Sequence, residues 1–431
     1  MKTAAFYTLG CKVNQYETEA VAELFADKGI ETVPFTEKAD VYIINTCSVT
    51  SMSDRKSRQI IRRAKKTNPD AVIAVMGCYS QTAPDEVLDI DGVNLVLGTK
   101  DKASVVRLTE NLSPDDKINA VEGVMDNHIF EELTVRRCAD RTRAYIKIQD
   151  GCSQFCSYCI IPYARGPVRS RKESEILDEV KKLALAGYKE IILTGIHAAS
   201  YGSDLEDTSL GQLLNKIDKE GGIERVRLSS IEPMTLNAEF INEIKDCKKL
   251  CPHFHISLQS GCDQTLRRMN RHYTTAQFEE IVIGLRNAFK DCAVTTDIMT
   301  GFPGETDEEF EKTLEFVNRI QFADAHVFQY SPRRGTPAAK RPEQVLPKVK
   351  EERSKLIAQA VSRSQNEFLS RHEGKTVKVL FETRAKDGSF EGKTANYITV
   401  RAFSEKDISG EFHYVMLEKA KKGIIFGKVV D

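Results

Sequence analysis

The chain has 431 residues, a formal net charge of −1, 41% hydrophobic and 29% charged residues, a composition that excludes a disordered chain and fits about two to four globular domains. No apolar run approaches the roughly 20 residues of a membrane helix, and Met1-Lys2-Thr3-Ala4-Ala5-Phe6 lacks the apolar core of a signal peptide, so a cytoplasmic protein with no membrane partner is expected. That compartment keeps thiols reduced, which directs eleven cysteines toward metal or catalytic use, while the near-zero net charge leaves nucleic-acid binding to local patches.

Up to about residue 135 the chain repeats strand, loop and helix. Ala4-Ala5-Phe6-Tyr7-Thr8 reads as a strand, followed by an apolar-periodic helix through Val21, Leu24 and Phe25. Val41-Tyr42-Ile43-Ile44 is a second strand, trailed by a basic helix around residues 58–63, and Val72-Ile73-Ala74-Val75-Met76 is a third. Continuous apolar strands alternating with helices predict a doubly wound parallel sheet over residues 1–135, covered on both faces. The polar run 113–117 begins the exit from this α/β domain.

Residues 138–340 hold six further strands separated by helices, at 144–148, 190–194, 225–228, 253–258, 294–298 and 325–328. Thr306-Asp307-Glu308-Glu309 is a capping box with acids on the positive end of the helix dipole. Six such units are too few to close an eight-stranded barrel. An open six-stranded partial barrel is expected, with an open side able to admit a large substrate. Pro332, Pro337, Pro342 and Pro347 punctuate a connector whose charged helix completes residues 341–370. Residues 371–431 contain only short strand-like runs, such as 376–381 and 397–400, which predict a small antiparallel β-barrel.

The sharpest chemical signal is Cys152-Ser153-Gln154-Phe155-Cys156-Ser157-Tyr158-Cys159, directly after the first barrel strand. That strand end is where barrel active sites are built. A cubane cluster normally takes four thiolates, so three close cysteines hold three irons and leave the fourth open to an outside ligand. The competing reading is a structural zinc site, which would show a second C-x2-C or paired histidines nearby; none follows. Cys11, Cys47 and Cys78 are far apart in sequence, yet each sits just beyond a strand of the first zone. C-terminal strand ends of an open parallel sheet lie on one edge, where ligands bind. Three thiols there converge on a second cluster, unless they are simply buried core cysteines.

The C-x3-C-x2-C run resembles that of the radical S-adenosylmethionine (SAM) superfamily. The resemblance implies that SAM chelates the open iron through its amino and carboxylate groups and is cleaved to a 5′-deoxyadenosyl radical. It further implies that Tyr158 packs near the adenine and that Gly195 lets the backbone approach the methionyl amine. Ser230, Glu232, Gln259 and the turn 301–306 would shape the rest of the SAM pocket. Thr8-Leu9-Gly10-Cys11-Lys12-Val13-Asn14-Gln15-Tyr16-Glu17, Ile44-Asn45-Thr46-Cys47-Ser48-Val49-Thr50 and Met76-Gly77-Cys78-Tyr79 look like the N-terminal domain of the methylthiotransferases. Residues 149–152 and 159–166 match that family's cluster loop, and the C-terminal zone looks like its RNA-binding TRAM domain.

Within the family, residues 10–15 and 147–152 are most similar to the MtaB branch, whose members convert N6-threonylcarbamoyladenosine beside the tRNA anticodon to its 2-methylthio derivative. The resemblance implies two 4Fe-4S clusters, one on Cys152, Cys156 and Cys159 and one on Cys11, Cys47 and Cys78. It also implies SAM, a tRNA anticodon stem-loop, an electron donor such as flavodoxin or ferredoxin, and a sulfur source. Ala198-Ala199 depart from the branch, which more often carries a glycine there. Two other readings remain: a methylthiotransferase for isopentenyladenosine in tRNA or a ribosomal-protein aspartate, and a non-catalytic RNA-binding iron–sulfur protein.

Arg165 and Arg171 leave the cluster loop at the active-site edge and are expected to pair with the threonyl carboxylate, since Arg offers a planar fork for that group. The basic runs at 55–56, 62–66, 136–137, 267–268 and 333–334 are partly solvated helix faces. Cys247 and Cys251, one turn apart in an expected helix, and the single Cys138, Cys262 and Cys292 are packing or surface thiols. His253 and His255 alternate along a strand and are read as structural.

Overall fold

Three β-structures follow one another in the computed structural model, which describes residues 1–136 and 142–430; Arg137 and Cys138 lie outside the described residues. The first sheet contains β1 (Thr3–Thr8), β2 (Glu31–Thr32), β3 (Val41–Thr46), β4 (Val72–Gly77), β5 (Leu95–Val96) and β6 (Ile118–Asn119). All its ladders are parallel, in the order β2-β1-β3-β4-β5-β6. Every residue of β3 and β4 is buried, because successive side chains feed two cores. Ala5, Tyr42, Ile44, Ile73 and Val75 pack on Ile61 and Ala64 of helix Ser51–Thr67. Ala4, Val41, Ile43, Ala74 and Met76 pack with Val21 and Phe25 of helix Lys12–Asp27 on the other face. The run 113–117 does not leave the domain: β6 follows it, and Asn94 Nδ2 donates to the carbonyls of Pro114 and Asp116.

The second structure contains β7 (Arg143–Asp150), β8 (Arg169–Ser170), β9 (Glu190–Gly195), β10 (Arg225–Leu228), β11 (His253–Gln259), β12 (Ala293–Thr300) and β13 (Asp324–Gln329). Parallel ladders join β7-β9-β10 and β11-β12-β13, and single bridges, Val226 to Leu250 and Ile231 to Ile256, connect the two. The short β8 lies antiparallel on the outer edge of β7. The result is an open six-stranded parallel barrel. Alternate residues such as Ala144, Ile146, Leu193, Val226, Phe254 and Ile256 join the helices in one large core. The intervening positions, including Lys147, Arg227, His253 and Asp297, face the other side of the sheet and make it polar.

Thr306 caps helix Asp307–Ile320 with a reciprocal bond from Glu309, and Thr274 with Gln277 does the same for helix Thr275–Ala288. Cys247 and Cys251 are not helical: the helix ends at Ile244, and both are buried in the loop before β11. Pro252 disfavours a helical Cys251.

Helix Pro347–Ser370 leads to a closed barrel of β14 (Thr376–Arg384), β15 (Phe390–Thr394), β16 (Thr399–Phe403), β17 (Phe412–Lys421) and β18 (Ile424–Val429). It is antiparallel except for the β16–β18 pair, which is parallel. Its β15–β16 connection enters the polar side of the larger barrel. Arg227 Nη1 donates to the Ala395 carbonyl (3.0 Å), Arg225 Nη2 to that of Lys378 (2.7 Å), and the Tyr397 ring stacks on His253 at 4.5 Å.

Candidate active site

Cys152, Cys156 and Cys159 sit in a loop that begins at the end of β7. Gly151, at φ +74°, is required there, because a Cβ would come within 1.8 Å of the Pro167 carbonyl oxygen. The Cys152 amide donates to the Gly166 carbonyl (3.0 Å), the Ser157 amide to that of Met269 (2.9 Å), and the Cys159 amide to that of Cys156 (2.9 Å). Burial pushes the Cys152 thiol up to about 11 and the Cys159 thiol to about 12. Such thiols ionise once a cationic metal group binds them. Arg271 Nη1 lies 3.3 Å from Cys156 Sγ, and its Nη2 donates to Glu232 Oε2 (2.6 Å).

The residues expected around SAM all stand at C-terminal strand ends or in this loop. Tyr158 meets Phe302 edge-on at 6.5 Å. A Cβ on Gly195 would approach Gln149 Oε1 to 2.8 Å. Glu232 is held by Arg271, Ser230 lines a cavity, and the buried Gln259 has φ +65° and an Oε1 with no hydrogen-bond partner. That orphaned oxygen suits a ligand bearing a donor.

Cys11, Cys47 and Cys78 follow β1, β3 and β4. The strand order reverses between β1 and β3, the switch point where open parallel sheets bind ligands. Gly10, at φ +108°, has room for no side chain, since a Cβ would stand 2.7 Å from Cys47 Cβ. Asn14 Nδ2 ties two of the loops together by donating to the carbonyls of Leu9 (2.9 Å) and Thr46 (3.0 Å). Burial and then the neighbouring Cys78 push the Cys47 thiol up to about 11. Cys11 is the exposed member of this trio, and Arg165 is the cation that favours its thiolate. Among the described residues no group of three His, Cys, Asp or Glu side chains is spaced for a single ion. Each trio offers three thiols, the donor set of an iron cluster with one open corner rather than of four-coordinate zinc.

A buried ionic network lies between the trios. Arg165 donates to Glu17 Oε1 (2.6 Å), to Asn14 Oδ1 (2.6 Å) and, through Nε, to Cys78 Sγ (3.4 Å). Lys147 Nζ bridges Glu17 (2.8 Å) and Asp150 (2.7 Å), and Lys102 contacts Glu17 (3.2 Å). Burial would raise both carboxyls, but Arg165, Lys102 and Lys147 hold Glu17, and Lys147, Arg165 and Arg169 hold Asp150, well below the usual carboxylate range.

Arg165 and Arg171 are therefore not carboxylate partners for a substrate. Arg165 is 0% and Arg171 2% exposed. Arg171 pairs with Glu179, with Glu132 (3.3 Å) and with the Tyr16 hydroxyl (3.4 Å), fastening the N-terminal helix to the barrel. The basic run turns inward because β8 pairs with β7. Sequence reasoning alone does not single out Glu17, Lys102, Lys147 and Asp150; a lysine inside the apolar strand 144–148 is the one available signal.

Two cavities flank the site. One, of about 440 Å³, is lined by Lys12, Ser229, Ser230, His253, Lys393 and Tyr397 among others. A second, of about 660 Å³, lies between the N-terminal sheet and the cluster loop, beside Tyr79, Tyr163, Arg333 and Arg334. No helix among the described residues is long and apolar enough to cross a membrane.

Residues 146–317 match the Radical SAM superfamily and residues 3–98 the uncharacterized protein family UPF0004. The chain is 43% identical to the threonylcarbamoyladenosine tRNA methylthiotransferase MtaB of Bacillus subtilis (strain 168), over 97% of this chain and 94% of that one. It is 35% identical to the tRNA-2-methylthio-N(6)-dimethylallyladenosine synthase of Acetivibrio thermocellus, over 98% and 90%. The radical S-adenosylmethionine methyltransferase TsrM of Kitasatospora setae, solved with cobalamin and a 4Fe-4S cluster, superposes with a TM-score of 0.58. That alignment covers 79% of this chain and 77% of TsrM at 16% identity, a likeness of fold alone. With both cysteine trios inside matched regions and relatives aligned over nearly the whole length, the chain belongs to the radical SAM methylthiotransferase family.

Proposed function

We propose that the enzyme converts N6-threonylcarbamoyladenosine, beside the anticodon of tRNA, to its 2-methylthio derivative. The supporting observation is the pair of three-thiol sites held in one frame by Arg165, which reaches Cys78 on one side and Asp150, two residues before Cys152, on the other. Cys152, Cys156 and Cys159 hold one 4Fe-4S cluster, and Cys11, Cys47 and Cys78 the other. When bound, the clusters and SAM supply the radical that activates adenine C2 and the sulfur that is transferred.

This chain's residues do the positioning. Gly195 leaves room for SAM beside Gln149, Gln259 offers its free oxygen, and the Arg271–Glu232 pair fixes charge beside Cys156. Tyr158 and Phe302 wall the pocket with apolar surface. The small C-terminal barrel serves as the TRAM domain that grips the anticodon stem-loop. A reductant such as flavodoxin or ferredoxin and a sulfur source complete a cytoplasmic reaction.

Nucleoside mass spectrometry of tRNA treated with reconstituted enzyme tests the reading. Methylthiolation of threonylcarbamoyl tRNA and none of isopentenyl tRNA is expected, because polar groups built for one leave themselves unpaired with the other. Product only from isopentenyl tRNA, or only on a ribosomal protein, would overturn it. Iron without SAM cleavage would make the chain a non-catalytic binder.

A further inference from the structure

The 440 Å³ cavity opens where three parts of the chain meet: the start of the helix that follows Cys11, the polar side of β10–β13, and the β15–β16 connection. Its wall carries three cations, Lys12, Arg227 and Lys393, against one carboxylate, Asp324. Arg227 is committed to Glu190 (3.1 Å) and to the carbonyls of Thr394, at the end of β15, and Ala395, in the β15–β16 connection. Lys393 donates to Thr399 Oγ1 (2.6 Å) and stands 4.7 Å above the Tyr397 ring. The Lys12 side chain, on the first residue of its helix, has no carboxylate partner among the described residues; burial lowers its pKa and the nearby Tyr397 hydroxyl opposes that shift.

Two further polar atoms in the wall are buried without partners. They are His253 Nδ1 and Ser229 Oγ, on residues only 6% exposed. The other ring nitrogen of His253 meets Thr295 Oγ1 at 3.0 Å. Burial, and then Arg227, His255, Lys12 and Lys393, hold the imidazole well below its ordinary range. The positive field comes from the wall itself, where Lys12, Arg227 and Lys393 outnumber the single carboxylate. Unmet buried polar atoms under such a field suit an anionic ligand with polar groups of its own.

We propose that Lys12, supported by Lys393 and His253, receives the carboxylate of the threonylcarbamoyl group. The inference rests on the function proposed above and deepens it by naming what selects the charged nucleoside. The chemistry of adenine supports it: C2 and the N6 substituent both flank N1, so they lie on one edge of the base. A base whose C2 faces the sulfur-bearing trio carries its N6 side chain along that same side. Lys12 is the residue next to Cys11. SAM also bears a carboxylate, and the experiment separates the two sources.

Anticodon stem-loop RNA carrying the threonylcarbamoyl group is compared with the same RNA carrying its methyl ester, by dissociation constant and KM on the reconstituted holoenzyme. The unaltered enzyme should prefer the acid by roughly tenfold or more, the worth of one charge-assisted pair. Lys12→Gln should abolish most of that preference, and Lys12→Arg should keep part of it. Lys393→Gln, on β15 of the C-terminal barrel, which carries none of the six cysteines, should narrow it as well, which guards against a Lys12 variant that fails to assemble its cluster. Full preference retained in both glutamine variants would overturn the proposal. So would a Lys12→Gln enzyme that loses affinity for SAM in place of the RNA. Absence of product from the unaltered enzyme with the acid RNA would instead overturn the functional reading, and this inference with it.

Discussion

Cys152, Cys156 and Cys159 lie within eight consecutive residues and are arranged by one loop, whereas Cys11, Cys47 and Cys78 come from three strand ends across 68 residues. The first trio is shaped by local backbone bonds and by Gly151. The second depends on the sheet order, on Asn14 tying two loops, and on the fully buried Arg165 beside Cys78. One site is written in spacing and the other in topology. The second should therefore be the more sensitive to changes away from its cysteines.

The largest effect should separate the trios chemically. Replacing Cys152, Cys156 and Cys159 by Ala should lower the iron content from about eight to about four and abolish 5′-deoxyadenosine formation. Iron analysis and product chromatography check this, and continued SAM cleavage would remove the radical SAM assignment from that loop.

Arg165→Leu should cost on the order of 3–5 kcal/mol in chemical denaturation, because Glu17 and Asp150 lose a buried cation. It should also lower cluster occupancy at the N-terminal trio. Asn270→Gly, which keeps the left-handed backbone at φ +58° and removes the bonds to the Gln154 (3.4 Å) and Phe155 (3.0 Å) carbonyls beside the other trio, should cost only about 1 kcal/mol. Equal costs would erase the asymmetry.

The network also fixes a pH dependence. Glu17 and Asp150 have folded values depressed below their ordinary ones. Their contribution is present above the usual carboxylate range of about 4 and is lost as pH falls toward the depressed values. Denaturation midpoints should drop between about pH 5 and 3 in the unaltered protein. In Arg165→Leu that slope should flatten; an unchanged slope would place the acid sensitivity elsewhere.

The smallest effect concerns the C-terminal barrel. Binding of tRNA should weaken with salt at a log–log slope near −4 for about five phosphate interactions. Truncation from Gly374 would remove the partners that Arg143, Arg225 and Arg227 have in the small barrel and leave the three cations sharing Glu190, so point changes are cleaner. Converting the exposed Lys419, Lys421 and Lys422 to Gln should reduce the slope by about 0.9 for each phosphate no longer neutralised. An unaltered slope would mean that this face does not carry the RNA.

Much of this architecture is legible in the chain. The apolar runs 41–44 and 72–76 predict β3 and β4, and the capping box at Thr306 marks its helix. The two-residue strands β2, β5 and β6 are not legible, since pairing partners rather than local pattern define them. The parallel β16–β18 pair is a property of closure that no single strand displays. The C-x3-C-x2-C spacing points to one trio and the places of Cys11, Cys47 and Cys78 just past strands to the other, but the places of Arg165 and Arg171 are hidden, because a basic run in sequence does not reveal that β8 turns it into the core. Lys12 is legible only as part of the segment 10–15 that carries the branch resemblance, not as a cavity-lining cation, and Tyr397 acquires meaning only when the small barrel docks against His253.

The most direct test of two trios with different tasks is a paired measurement on the Cys11, Cys47, Cys78 triple-alanine variant, reconstituted anaerobically and given SAM, reductant and threonylcarbamoyl tRNA. Continued release of 5′-deoxyadenosine with no methylthio nucleoside is the expected result. Methylthio product at the rate of the unaltered enzyme would contradict it and leave the N-terminal cysteines a purely structural role.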